Sequence, residues 1–342
     1  MKLLEVDLPK KIIIGENALE KVGKLCEDLG LSGTAIIFTG PNVIKIAGKK
    51  VSDILENYDY KTNFKVLPEN FEMKDLIKLK SDFTVGVGGG KVIDAAKIAA
   101  KRNNIPFISI PTAMSHDGIA SNRAVINDTY SIPAVMPSGI VIDTDIIIKS
   151  PYRLTASGCG DVISKLTAVA DWELSHDKTG EYISEYAAII NKTSADLVIK
   201  SAKSIRRLEI KGLRNLIEAL IFSGVSMSIA GSSRPASGSE HLFSHALKIL
   251  YPSKTSLHGE ECGIGSILCS YFHDMNWQKI VKALKTIGAP TNNEELKIPK
   301  IMIIKALSKA KNIRTDRYTI LNYKNIDDKK AEKAAKETGV IE

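Results

Sequence analysis

The chain contains no run of about eighteen apolar residues, so no segment reads as a membrane-spanning helix. Its opening stretch, MKLLEVDLPKKIIIGENALEK, lacks the basic region, apolar core and small-residue cleavage site of a secretory signal. The four cysteines, Cys26, Cys159, Cys262 and Cys269, form no CxxC pair, which argues against a disulfide framework and for reduced thiols in a cytoplasmic protein. Charge of one sign is nowhere concentrated. Lys and Arg number 47 against 39 Asp and Glu, a net +8, but they are dispersed, and the densest block, DDKKAEKAAKE, mixes signs as a solvated helix does. A nucleic-acid binder gathers its basic residues into an arm or stripe, so no nucleic-acid partner and no membrane insertion are expected. The positive excess suits attraction of a small anionic substrate. What is present is ordinary for a globular protein, 44% hydrophobic and 25% charged, in a chain of 342 residues that is long enough for two cores.

Residues 1–149 alternate short apolar runs with helical spacing. TAIIFTG (34–40), KTNFKVLP (61–68), DFTVGVGGG (82–90), IPFISIPT (105–112) and SGIVIDTDII (138–147) read as strands. KIAGKKVSDILENY (45–58), MKDLIKLKS (73–81) and KVIDAAKIAAKRNN (91–104) read as the helices between them. That alternation predicts a parallel sheet covered on both faces, a Rossmann-like α/β domain with ligands at the carboxyl ends of its strands. From about residue 156 long amphipathic patterns follow one another, predicting an all-α second domain over 150–342, with Ser150-Pro151 as the hinge.

Three stretches carry chemistry. Gly86, Gly88, Gly89 and Gly90 stand between a strand and a helix, where the backbone can approach a ligand and the helix N-terminus offers N–H donors to a pyrophosphate. The stretch matches neither GxGxxG, because Lys91 takes the last glycine's place, nor the Walker pattern, because Val92 stands where Ser or Thr would hold magnesium. A tight packing turn would look the same. The second stretch, PTAMSHDGIASN (111–122), gathers hydroxyls and a carboxylate just after a strand, as a nucleotide or polyol site would, or as a loop capping its own backbone would. In the third, His241 and His245 share a helix face, and His258 follows beyond a loop at the start of another helix. Two imidazoles and one carboxylate suit Zn²⁺ or Fe²⁺ with a coordination position left open, and Asp161 is the obvious carboxylate donor, in the first turn of the second domain's first helix. Ordinary core or surface histidines remain the alternative.

Taken together and in this order, GVGGGKVID, IPTAMSHDG and the His-to-His-Gly pattern resemble the iron/zinc-dependent polyol dehydrogenases, which include glycerol dehydrogenases and the dehydroquinate synthase-like enzymes. SRPASGSEHLFSHAL is similar to the sn-glycerol-1-phosphate dehydrogenase family in particular. The resemblance implies a dehydroquinate synthase-like fold, a nucleotide-binding domain and a helical metal domain flanking the active cleft. It implies Zn²⁺ on Asp161, His241 and His258, and a pyrophosphate over Gly88, Gly89, Gly90, Lys91 and Val92. It further implies NAD(P)H contacts from Thr112, Ala113, Met114, Ser115 and Ser121, and substrate contacts from Asp117, Asp161 and His245. The implied activity is reduction of dihydroxyacetone phosphate to sn-glycerol 1-phosphate, the backbone of archaeal phospholipids, in a homo-oligomer.

On that reading His245 or Asp117 passes the proton. Arg234, upstream of the metal helix, and Lys165, one turn after Asp161, are candidates for the substrate phosphate by position. The strand TAIIFTG ends in Gly40-Pro41-Asn42 with no carboxylate and with Lys45 nearby, so acceptance of both NADH and NADPH is expected, with NADPH favoured. The competing readings are a dehydrogenase of an unphosphorylated polyol and a dehydroquinate synthase-like lyase. The lyase would need a further Lys and Arg cluster that is not seen near Asp161 or His258. The stretch 277–322, with Arg317 and Tyr318, is assigned no chemistry.

Overall fold

The structure, a computed structural model, describes residues 4–68, 71, 80–126, 130–254 and 256–342. Its contacts divide the chain into two compact units. The first runs to Met114 and resumes over Gly118–Tyr152; the second comprises Ser115–Asp117 and Arg153–Glu342.

In the first unit, β1 (Lys11–Gly15), α1 (Val22–Asp28), β2 (Thr34–Thr39), α2 (Lys49–Glu56), β3 (Lys61–Val66), β4 (Phe83–Gly88), α3 (Gly90–Asn103) and β5 (Phe107–Pro111) come first. A hairpin, β6 (Arg123–Ile126) and β7 (Tyr130–Pro133), then β8 (Gly139–Asp143) and α4 (Thr144–Lys149) complete it. Six strands form one parallel sheet in the order β1-β8-β5-β4-β2-β3, and β6 pairs with β7 antiparallel. Alternation along the inner strands sorts side chains onto two cores. Ile37, Val85, Val87 and Ile108 pack with Leu25 of α1 and Leu55 of α2, whereas Phe38 and Phe107 pack with Ile93 and Ala96 of α3. Gly86 is what lets α3 lie close, since a Cβ there would stand 3.1 Å from Ala96 and 3.2 Å from Ile93.

Several elements differ from the sequence reading. KIIIG forms an edge strand, β1, that the pattern left unread. The run SGIVIDTDII ends as a strand at Asp143, because that carboxylate accepts the Asp145 N–H and starts α4. The helix read over 73–81 lies almost wholly outside the described residues.

The second unit is helical: α5 (Tyr152–Ile163, whose first residue closes the first unit), α6 (Lys165–Thr179), α7 (Glu185–Lys200), α8 (Ala202–Arg206), α9 (Ile210–Ala230), α10 (Ser239–Leu250) and α11 (His258–Phe272). They are followed by α12 (Trp277–Ile287), α13 (Asn293–Leu296), α14 (Lys300–Ala310), α15 (Ile320–Tyr323) and α16 (Asp328–Glu337). The long amphipathic run over 182–207 is broken at Ser201 into α7 and α8. Helix α9 is long and apolar enough to cross a membrane by composition, yet 67% of its apolar window is buried, and it packs against α7 and α8 as a core helix.

Candidate metal and nucleotide sites

Three helices bring the metal candidates together, and glycines let them approach. A Cβ on Gly160 of α5 would lie 2.2 Å from the Gly259 carbonyl oxygen, and one on Gly259 would lie 1.8 Å from that of Ser157. Helices α5 and α11 therefore cross backbone to backbone, a contact any side chain would block. A Cβ on Gly265 would likewise sit 2.8 Å from the Glu240 carbonyl oxygen of α10. These crossings place Asp161, His241, His258 and Cys262 so that one ligand atom from each lies within 4.8 Å of every other. Asp161 stands in the last turn of α5 rather than in a first turn as the sequence suggested, because the helix begins at Tyr152 and runs through both of its glycines.

Hydrogen bonds aim both imidazoles. Glu240 is fully buried; its Oε1 lies 2.8 Å from His241 Nδ1 and also accepts the Gly238 N–H at 2.7 Å, while Oε2 accepts from Thr167 Oγ1 at 2.9 Å. With Nδ1 donating, His241 Nε2 keeps its lone pair and stands 3.7 Å from Asp161 Oδ1. Ser244 Oγ donates to Glu261 Oε2 at 2.6 Å and lies 3.3 Å from His258 Nδ1, which assigns the same tautomer to His258. Burial, followed by the charge of Lys248, holds His258 well below its ordinary pKa, so the ring is neutral as a ligand must be. A carboxylate and two imidazoles oriented by hydrogen bonds fit Zn²⁺, and Cys262 Sγ adds a donor that the sequence reading did not assign. His245 is not in this group; its ring centroid lies 6.5 Å from that of His241, and its buried Nδ1 has no partner.

Lys165 is completely buried, and its three ammonium hydrogens meet Asp161 Oδ1 at 2.7 Å, Asp117 Oδ2 at 3.0 Å and the Ala236 carbonyl at 3.1 Å. It has no donor left for a substrate phosphate. Burial works to lower its pKa, but the Asp117 and Asp161 carboxylates outweigh it and raise the value. Burial conversely works to raise the Asp117 carboxyl; the Lys165 charge and the Ser223 hydroxyl, 2.8 Å from Oδ2, outweigh it and hold Asp117 below its ordinary value. The Asp117 N–H also donates to Asp161 Oδ2 at 3.0 Å, joining the two carboxylates. Arg234 is buried with Nη2 on Glu181 at 2.8 Å and on the Tyr318 carbonyl at 2.9 Å.

The nucleotide candidates belong to the first unit, except Ser115, which belongs to the second. Gly89 caps α3, and the space where its Cβ would stand is open to 4 Å, so a phosphate can reach the first-turn N–H groups at Gly90 and Lys91. Val92 fixes the turn from behind: a Cβ on Gly88 would meet it at 2.9 Å. The Thr112 N–H donates to the Gly88 carbonyl at 3.1 Å, which holds the second loop beside the glycine turn. Ala113, Met114 and Ser121 are buried. Lys97, fully buried and unremarked in the sequence reading, ties this loop to α3 through Ser121 Oγ at 3.3 Å and the Arg123 carbonyl at 2.7 Å. Asp94 accepts the Val125 N–H at 2.9 Å.

Sheet order, glycine turn and donor cluster define a two-unit dehydrogenase, and the iron-containing alcohol dehydrogenase family matches residues 13–151. The fold is shared with glycerol dehydrogenase from Schizosaccharomyces pombe, at a TM-score of 0.82, 23% identity and coverage of 99% of this chain and 91% of that one. The chain is 49% identical to glycerol-1-phosphate dehydrogenase [NAD(P)+] of Methanosarcina mazei, over 98% of this chain and 96% of that protein. It is 47% identical to the enzyme of the same name from Thermococcus sibiricus, over 98% of each. It belongs to the glycerol-1-phosphate dehydrogenase family, and it is an oxidoreductase.

Proposed function

We propose that this protein reduces dihydroxyacetone phosphate to sn-glycerol 1-phosphate with NADH or NADPH, supplying the glycerophosphate of archaeal phospholipids. The observation that carries the reading is near one-half identity to enzymes of that name across 98% of the chain. The site supports it. Asp161, His241 and His258 would hold Zn²⁺, which when bound supplies a Lewis acid for the ketone oxygen, while NAD(P)H supplies the hydride. Gly88, Gly89, Gly90, Lys91 and Val92 would cradle the pyrophosphate, with Thr112, Ala113, Met114, Ser115 and Ser121 as the second wall.

Within this reading Asp117, kept ionised by Lys165 and Ser223, accepts hydrogen bonds from the substrate hydroxyl and orients it. Asp161 adds its second oxygen to the same hydroxyl-binding face. Burial and the neighbouring His241 hold His245 neutral, and its partnerless Nδ1 is the atom through which a proton reaches the new hydroxyl. Arg234, the phosphate candidate by sequence position, contributes positive potential behind the site. A homo-oligomer and a cytoplasmic location complete the proposal. Mixing the protein with Zn²⁺, NADPH and dihydroxyacetone phosphate should yield sn-glycerol 1-phosphate; the opposite enantiomer, or no oxidation of NADPH, would refute it.

A further inference from the structure

Arg317 lies between α14 and α15, in a stretch to which the sequence assigned no chemistry, and it is only 5% exposed. Its neighbours each have one anion: Arg234 pairs through Nη2 with Glu181 at 2.8 Å, its buried Nε and Nη1 having no partner among the described residues, and Arg314 pairs with Asp316 at 2.6 Å. Among the described residues no ion pair includes Arg317. Nη1 donates to the Ser237 carbonyl at 2.5 Å and to Ser237 Oγ at 2.9 Å, and Nη2 donates to Ser233 Oγ at 2.9 Å. Both serine hydroxyls act there as acceptors, so each keeps a hydrogen to give. Burial first, then the charges of Arg314 and Arg234, press the guanidinium below its ordinary pKa against the weaker pull of Asp316 and Glu240. Arginine does not give up its proton, so what remains is a buried cation without a counter-ion, a costly arrangement that a bound anion would relieve.

Arg317 is tied to the turn that leads into α10, the helix carrying His241 and His245, since α10 starts at Ser239, two residues after Ser237. His245 feels the charges of Arg317 and Arg314 on one hand and neighbours His241, a member of the cluster, on the other. Only a methylene and an ester oxygen separate ketone from phosphorus in a short ketose phosphate. We propose that Arg317, braced by Ser233 and Ser237, receives the phosphate of the substrate and sets the preference for a phosphorylated ketone. This rests on the function proposed above. Arg234 then has the role of a positioning residue: its Nη2 holds the Tyr318 carbonyl, adjacent in the chain to Arg317.

The test uses the zinc-loaded full chain and the ratio of kcat/KM for dihydroxyacetone phosphate to that for dihydroxyacetone. Loss of a charge-assisted pair predicts that Arg317→Met lowers this ratio about a hundredfold, and that Arg317→Lys, which keeps the charge without the fork, lowers it about tenfold. Inorganic phosphate should inhibit dihydroxyacetone turnover competitively in the wild type and far more weakly in Arg317→Met. Thermal melting identifies a misfolded variant, in which case the lysine variant decides by the same ratio. An unchanged ratio in both variants, or a selective loss in Arg234→Met instead, would overturn the assignment of Arg317 while leaving the proposed function intact. A wild-type enzyme that prefers dihydroxyacetone would remove the phosphorylated substrate itself.

Discussion

Glu240 is a carboxylate with no exposure: Oε1 serves the backbone turn and the ring of the residue that follows it, while Oε2 accepts from Thr167. Such a partner fixes the tautomer and raises the basicity of a metal-binding imidazole. Glu240→Gln should weaken Zn²⁺ affinity by about 10–100-fold in chelator competition; unchanged affinity would mean that His241 is oriented by something else. Lys165 answers to a different balance. Its ammonium neutralises the buried Asp161 and the partly buried Asp117, so Lys165→Met should cost the metal-free protein about 3–5 kcal/mol in urea unfolding. With Zn²⁺ bound to Asp161 the loss should be smaller, since the ion supplies the missing positive charge; equal losses in both states would exclude a shared role for Asp161. Sequence singled out Asp161, His241 and His258, but Lys165 was only a positional candidate for the substrate phosphate and Glu240 was not read at all. Nothing in a linear pattern shows that all three ammonium hydrogens of Lys165 are taken, because two of the partners come from segments 48 and 71 positions away.

At the scale of elements, the donor cluster is a consequence of where helices cross. By sequence Gly259 reads as room for the chain to bend beside His258 and Gly160 carries no signal; the packing role of both emerges only from the approach of α5 to α11. The contact is reinforced by Arg153, whose Nε and Nη2 lie 2.6 and 2.7 Å from the two oxygens of Glu260. Gly160→Ala would place a methyl group within 2.2 Å of a carbonyl oxygen, so the helices must separate. The expected result is a loss of about 1–3 kcal/mol or more from overpacking, together with a loss of stoichiometric zinc in metal analysis. An alanine variant that is stable and still binds one zinc per chain would show that the crossing can relax. The glycine turn was more legible, since a strand, four glycines and a helix occur in sequence order. The β6–β7 hairpin and β1 were not: each is short, and β1 is recognisable only through its register with β8, more than a hundred residues later.

For the molecule as a whole, titration sums these local environments. His245 and His258 are held well below their ordinary value of 6.5, chiefly by burial. The unfolded chain therefore takes up protons first as pH falls through 6.5, so this stability is present above 6.5 and lost below it until the folded values are reached. Asp117, lowered from 3.8, contributes stability that persists above that value and disappears as pH falls through its folded one. Lys165, raised from 10.5, contributes below 10.5 and loses that contribution as pH climbs through its folded value. Metal-free protein should accordingly lose unfolding free energy as pH falls from about 7.5 to about 5.5, with the two histidines as the source. A flat profile in urea titrations over that interval would contradict their buried, neutral state.

The sequence by itself determined the alternation that builds the parallel sheet, the helical character beyond residue 156, the glycine turn and the choice of Asp161, His241 and His258 as candidate donors. Each of these is local, because hydrophobic period, turn chemistry and side-chain type act over a few residues. Tertiary structure alone decided that Cys262 stands beside the donor cluster, that Lys165 is fully spent on two carboxylates and a carbonyl, and that Arg317 is buried with no ion pair among the described residues. Those outcomes depend on which distant segments share a low-dielectric interior, and there the cost of an unpaired charge or an unsatisfied donor is set by neighbours that chain order does not reveal.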